Sequence, residues 1–260
     1  MDLGLGGRRV LITGGSQGIG YAVAAGFLGE GCNVVIVARD QSRLETATAT
    51  LAQLGTGQVE AASIDLAQAG AAEELAEAYP DIDILVNNAG AVPVGDIFEI
   101  DEARWRAGWD LKVFGYVNLT RAMYARMRGR PPKAIINVLG TGADKPQWRY
   151  ACGTPANIAL VGLTKALGGR SIDDGIRVVG VSPGAVETDR WRAIHMKRAE
   201  EKFGDPSRWR EALLDQPQNR AATPEEVANV VVFLASDRAS WVCGEIVNVD
   251  GGRLYREQWF

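Results

Sequence analysis

The chain predicts an α/β fold: one parallel, doubly wound β-sheet of seven strands with helices on both faces. Three observations carry that expectation. Short apolar runs alternate with helical stretches from end to end of the 260 residues, as they do where a parallel sheet is covered on both sides by its crossover helices. The first run, Val10-Leu11-Ile12-Thr13, opens directly into a glycine-rich turn. The other unusual local sequences fall at the carboxyl ends of later runs, where open α/β sheets bind ligands.

The turn reads Gly14-Gly15-Ser16-Gln17-Gly18-Ile19-Gly20, and apolar periodicity resumes at Val23, Ala24 and Phe27. Glycine at 14, 18 and 20 permits positive φ and a close backbone approach to a ligand. The helix that follows offers free N–H groups and a partial positive charge, which suits a pyrophosphate. The spacing is Gly-x-x-x-Gly-x-Gly, not the general dinucleotide fingerprint, and an ordinary tight turn would also accommodate it. Residues 33–38 form the second strand, 41–54 a helix, and 59–64 the third strand, ending at Asp65 before Leu66. A helix over 68–79 leads to a fourth strand, 82–86, which ends in Asn87-Asn88-Ala89-Gly90. A long helical region over 101–127 precedes the fifth strand, 133–139, and a helix over 152–168 follows it. The sixth strand, 177–181, closes with Ser182-Pro183-Gly184; a charged helical insertion covers 190–214. The last helix and strand are 224–235 and 246–249. With no repeat, linker or low-complexity segment, residues 1–260 read as a single domain carrying a variable lobe at about residues 188–217.

Composition narrows the function. The apolar fraction of 47% and charged fraction of 23% are ordinary for a globular protein. A net charge of −4 gives no general attraction to nucleic acid or anionic membrane. No apolar run is long enough to span a bilayer, and the N-terminus lacks a signal-peptide layout, so the expected location is cytoplasmic. Cys32, Cys152 and Cys243 have no metal-ligand spacing and read as reduced packing residues. His195 is the one histidine, which disfavours a histidine triad or a multi-histidine metal site; no metal is expected.

Thr13 to Gly20, Asp65, Asn87 to Gly90, Pro183-Gly184 with Thr188, and Val249-Asp250-Gly251-Gly252 together resemble the short-chain dehydrogenase/reductase family over essentially the whole chain. The resemblance implies a Rossmann-type fold and a bound NAD(H) or NADP(H). It implies that Gly14, Ser16, Gln17, Gly18, Ile19 and Gly20 cradle the cofactor and that Asp65, with Leu66, holds the adenine. It further implies that Asn88, Ala89 and Gly90 line the cofactor, and that Pro183, Gly184, Val186 and Thr188 meet its nicotinamide half. An oligomer, dimer or tetramer, built on the 101–127 and 152–168 helices is implied as well. NAD binders place an acid at the end of the second strand; here Ala38 and Arg39 stand there. An arginine can clamp a 2′-phosphate, so NADP(H) is expected over NAD(H).

The catalytic region departs from the pattern. The family uses a Ser and a Tyr-x-x-x-Lys pair, often with an upstream Asn, and side chains four apart share a helix face. Tyr150 is followed four residues later by Thr154. Ungapped threading puts Gly140 at the serine, Gly153 at the tyrosine, Asn157 at the lysine and Lys112 at the upstream asparagine. Three readings remain. In the first, the site is rebuilt: Tyr150 enters from before the helix, Lys112 returns a cation, Asn157 keeps the ribose contact and Thr141 replaces the serine hydroxyl. The second is a cofactor-binding pseudoenzyme or regulatory subunit; the third is lyase or isomerase chemistry on the same fold. The rebuilt site would interconvert a carbonyl and a secondary alcohol by hydride transfer. The insertion mixes Arg190, Arg192, His195, Lys197 and Arg198 with Trp191 and Trp209, and with Glu200, Glu201 and Glu211. It reads either as a solvated mixed-charge helix or as a mobile lid over a carboxylate, phosphate or CoA-thioester substrate, with Trp148 and Tyr150 as an aromatic wall.

Overall fold

The computed structural model describes residues 1–130 and 132–256. Strands β1 (Arg9–Thr13), β2 (Asn33–Ala38), β3 (Val59–Ser63), β4 (Ile84–Asn87), β5 (Lys133–Val138), β6 (Ile176–Pro183) and β7 (Ile246–Val249) form one sheet in the order β3-β2-β1-β4-β5-β6-β7. All six pairings are parallel. The expected seven-stranded doubly wound sheet is present. The chain leaves β1 in one direction as far as β3, then resumes on the other side at β4. The crevice at that reversal, above the carboxyl ends of β1 and β4, is where such sheets bind ligands.

Helices α1 (Gly18–Gly29), α2 (Gln41–Leu51) and α8 (Pro224–Ala235) bear on one core, α3 (Ala71–Ala78) and α5 (Gly115–Met127) on the other. The central strands alternate their side chains between these cores. Val10 and Ile12 join Phe27, Leu28 and Val231 on one face, while Leu11 meets Leu75, Leu119 and Met123 on the other. Each such fully buried side chain stabilises the fold by about 1.5–3 kcal/mol. Apolar residues on both faces explain why the strands read as continuous hydrophobic runs. Edge strand β3 is half open and reads less clearly.

Several boundaries differ from the sequence expectation. The third helix begins at Ala71, not 68, because Gly70 takes φ 83 at the N-cap. From Glu102 to Met127 the chain is helical throughout but not uniform: α4 (Glu102–Trp109) passes through a π-helical turn, Asp110–Phe114, into α5. The charged insertion is two pieces. α7 (Asp189–Phe203) ends at Gly204 with φ 67, and a 3₁₀ segment, Pro206–Leu213, folds back on it. Trp209, Leu213 and Ala199 are buried there with Trp191 and Phe203 against them, so the lobe has a small core of its own. The three cysteines are free, Cys32 and Cys152 buried. Among the described residues no helix is long and apolar enough to cross a membrane.

Candidate active site

The β1–α1 turn is held open by its glycines. Gly14 and Gly18 lie at φ 67 and φ 57. A Cβ on Gly20 would collide with the Gly14 carbonyl and the Asn88 amide, so that glycine lets α1 pack against the turn. No side chain caps the N-terminus of α1, and its first turn carries no acid. The β4 loop is tied to the same turn: Thr13 Oγ1 accepts from the Asn88 and Ala89 backbone N–H groups at 2.9 Å each, and Asn88 Nδ2 donates to the Thr13 carbonyl at 2.9 Å.

Above these strand ends lies a cleft of about 820 Å³. Gly14, Ser16, Gln17, Gly18, Ile19, Arg39, Leu66, Asn88, Ala89, Gly90, Pro183, Gly184, Val186 and Thr188 line it, as do Lys112, Thr141, Tyr150 and Asn157. Two expected residues do not. Gly20 sits behind the wall for the packing reason just given. Asp65 stands at the rim, its carboxylate 3.7 Å from Arg39 and accepting from the Ala67 N–H at 3.1 Å. Trp148 is also off the cleft; it is exposed and tilts against Phe98 with ring centroids 6.4 Å apart.

The residues expected to carry the chemistry come from four elements. Tyr150 lies just before α6 (Gly153–Gly168), and a Cβ on Gly153 would land inside its ring. The ring is also 3.1 Å from where a Cβ on Gly142 would stand. Neighbouring loops fix this segment: Gly95 N–H donates to the Arg149 carbonyl at 3.1 Å and Ala151 N–H to the Gly95 carbonyl at 3.3 Å. Asn157, 2% exposed, donates through Nδ2 to the Gly153 carbonyl at 3.0 Å. Its Oδ1 has no partner among the described residues. Thr141 opens a 3₁₀ turn that packs against α6.

Lys112 occupies the middle of the π-helical turn, the kind of local widening that often marks functional positions. Its stem crosses the face of Gly90, where a Cβ would come within 2.6 Å of Lys112 Cδ. Its ammonium donates to the Val138 carbonyl at 2.9 Å and to Tyr116 Oη at 3.3 Å. Burial, then the charge of Arg190, brings its pKa down to about 7. Burial raises the Tyr150 phenol, with the Asn157 amide and the Arg190 charge acting the other way. The charge of Arg190 bears on both groups, and the Lys112 amine, expected beside Tyr150, donates to the Val138 carbonyl and Tyr116 Oη. Arg190 itself is held by the Gly90 and Val92 carbonyls at 3.1 and 2.8 Å. Tyr116 escaped the sequence reading because a buried aromatic on an α-helix looks like core. Its i,i+4 spacing from Lys112 was the available signal.

Doubly wound topology, a glycine-lined helix N-terminus and a cleft at the reversal point define a nucleotide-binding α/β protein of the Rossmann type. A family model described as enoyl-(acyl carrier protein) reductase matches residues 14–253. Galactitol 2-dehydrogenase (L-tagatose-forming) of Cereibacter sphaeroides is 33% identical over 252 residues, covering 95% of each chain. The 3-oxoacyl-[acyl-carrier-protein] reductase FabG of Escherichia coli (strain K12) is 30% identical over 249 residues, 95% of this chain and 97% of the relative. The crystal structure of L-sorbose reductase from Gluconobacter frateurii, complexed with NADPH and L-sorbose, matches with a TM-score of 0.91 at 34% identity, covering 99% of this chain and all of that one. The chain belongs to the short-chain dehydrogenase/reductase family.

Proposed function

We propose that the protein is an NADP(H)-dependent oxidoreductase that interconverts a carbonyl and a secondary alcohol through a rebuilt catalytic site. The observation that carries this reading is the Tyr150 ring in the space that Gly153 leaves by having no side chain. A phenol thereby reaches the cleft from one turn earlier than the family pattern places it.

The cleft suits the cofactor. The uncapped, acid-free start of α1 and the turn from Gly14 to Gly20 would take the pyrophosphate. Arg39, beside Ala38, would take the 2′-phosphate, which favours NADP(H) over NAD(H). Asp65 would hold the adenine side, with Leu66 against it. Asn88, Ala89 and Gly90 would face the middle of the molecule, and Pro183, Gly184, Val186 and Thr188 the nicotinamide. NADPH, when bound, supplies the hydride.

The remaining steps belong to the chain. Hydride arrival leaves an alkoxide that needs a proton from a group within hydrogen-bonding reach, and Tyr150 gives it. Thr141 donates to the carbonyl oxygen and orients it. Asn157 Oδ1, free of partners among the described residues, accepts from a substrate hydroxyl, the phenol or a ribose hydroxyl. Lys112 and Arg190 supply positive charge that favours the developing alkoxide. On the cleft, Arg149 pairs with Glu99, whereas Lys145, Arg190 and Arg198 have no carboxylate partner among the described residues. That excess cation supports an anionic substrate bearing a carboxylate, a phosphate or a CoA thioester. Exposed Phe114 and Ile158, on the helices expected to associate, support a homodimer or homotetramer.

The test is NADPH oxidation against ketoses, keto acids and β-ketoacyl thioesters, with Tyr150→Phe beside the unmutated protein. Turnover abolished by the substitution, with NADPH binding kept, supports the reading. Tight NADPH binding without turnover on any substrate replaces it with a cofactor-binding, non-catalytic role.

A further inference from the structure

His195 is the one histidine of the chain. It stands half-buried on α7, where the lobe lines the cleft. Its ring is clamped: it stacks on Trp191 with centroids 3.8 Å apart, and Trp191 in turn meets Trp209 edge-on at 5.9 Å. Nδ1 lies 2.9 Å from the Trp191 carbonyl, the ring's one hydrogen-bond partner among the described residues. A carbonyl can only accept, so Nδ1 carries the hydrogen, and in the neutral ring Nε2 is left as a bare acceptor. Burial lowers the pKa of the ring below the ordinary histidine value; the Trp191 carbonyl acts against this and the charge of Arg198 with it. The neutral ring therefore prevails at neutral pH. Arg198, one turn further along α7, also lines the cleft and has no carboxylate partner among the described residues. A hydroxyl suits this pair, because it gives its hydrogen to Nε2 and accepts from a guanidinium, whereas an amide N–H can only give.

We infer that His195 Nε2 accepts a hydrogen bond from a hydroxyl on the substrate's carbon chain, away from the carbonyl that is reduced, so that the substrate is a polyhydroxylated ketone and not a β-ketoacyl thioester. This rests on the oxidoreductase reading above. The reach is right. Arg190, at the start of α7, is fixed by the Gly90 and Val92 carbonyls, and its charge bears on the Tyr150 phenol. From Arg190 to His195 is five residues, about 7.5 Å of helix, a span that the carbon chain of a sugar covers. Arg198 is the positioning residue for this contact, because its charge disfavours the imidazolium, which has no acceptor to offer. Trp191 holds the ring by stacking on its face and by taking its Nδ1 hydrogen.

The test compares hydroxylated ketones with their deoxy counterparts in NADPH oxidation: L-sorbose with 2-hexanone, and 5-ketogluconate with 5-oxohexanoate, with acetoacetyl-CoA beside them. The unmutated protein should favour the hydroxylated member of a pair by about tenfold or more in kcat/KM. His195→Phe keeps a flat ring against Trp191 and removes the acceptor. It should lose about tenfold on the hydroxylated ketone, the worth of one hydrogen bond, mostly through KM. The deoxy ketone should stay within about twofold, and NADPH affinity should not change. His195→Gln, which restores a carbonyl acceptor, should recover most of the loss. Because His195 is the one histidine, protein made without a histidine tag gives a single imidazole by nitrogen-15 NMR, and its Nε2 should carry no hydrogen at neutral pH. A protonated Nε2, or equal losses on both members of a pair, overturns the inference, the second outcome marking a packing role. Faster turnover of acetoacetyl-CoA or the deoxy ketones than of the hydroxylated ones also overturns it, while leaving the oxidoreductase reading intact. NADPH binding with no turnover on any of these substrates overturns both.

Discussion

In the proposed reading, the nucleotide end of the cleft relies on the backbone and the reacting end on side chains. The β1–α1 turn needs glycine for its φ values and for the approach of α1, and Thr13 and Asn88 lock that turn to the β4 loop. Replacing any of these disturbs the sheet's own crevice. The reacting end is different. Tyr150, Lys112, Thr141 and Asn157 come from four elements, and two glycines, Gly153 and Gly90, open the paths by which the first two enter. A backbone-built site resists change, whereas a side-chain-built site can be reassembled from neighbouring positions if space is cleared for the new groups.

The largest effect that sharpens this contrast is expected at Gly20. Gly20→Ala puts a Cβ against the Gly14 carbonyl and the Asn88 amide. The backbone has nowhere to yield, so a loss of about 1–3 kcal/mol or more in stability is expected, with NADPH binding lost alongside it. Thermal unfolding with and without NADPH checks both. Wild-type stability in this variant would break the claim that the turn is fixed by packing.

At the reacting end the fold should survive and the chemistry should not. Tyr150→Phe keeps the ring in its slot and removes only the hydroxyl, so turnover should fall by about 10²–10⁴ with the melting temperature unchanged. Gly153→Ala expels the ring instead and should cost similar activity while retaining NADPH affinity. If Gly153→Ala stays fully active, the slot is packing and not function. The phenol is raised by burial, so carbonyl reduction should hold its rate into alkaline pH, because the acid form persists there. Alcohol oxidation, which needs the phenolate, should rise with pH. Initial rates in both directions check the sign.

This same difference decides what could be read from the sequence. The parallel sheet was legible because central strands buried on both faces show as unbroken apolar runs, and the turn because its glycines have no substitute. That Gly153 and Tyr150 belong together was legible from the ungapped threading that sets Gly153 at the tyrosine position. What register cannot give is direction. The Lys112 amine donates to Val138 and Tyr116 from within a π-helical turn, and nothing in the local residues announces that turn. Gly20 behind the wall, Asp65 at the rim and Trp148 facing outward are likewise matters of approach angle that a linear pattern does not contain.

The smallest expected effect lies at Arg39, where a side chain acts at an otherwise backbone-built end. Its side chain is 61% exposed and its guanidinium is 3.7 Å from Asp65, so solvent screens whatever charge it offers. Arg39→Ala should weaken NADPH binding by about tenfold, within the range of one charge-assisted contact, and leave NADH affinity within about twofold. The loss should shrink as salt rises from about 0.05 M to about 0.5 M, because an exposed pair is screened over the Debye length. Arg43 is the other arginine at this end, joined to Asp40 at 3.1 Å and to Gln17 at 3.2 Å. If Arg39→Ala keeps its preference for NADPH and Arg43→Ala loses it, the 2′-phosphate is read from the first turn of α2 and not from the end of β2. If neither substitution alters a measurable preference, the nucleotide end recognises the cofactor through its backbone alone.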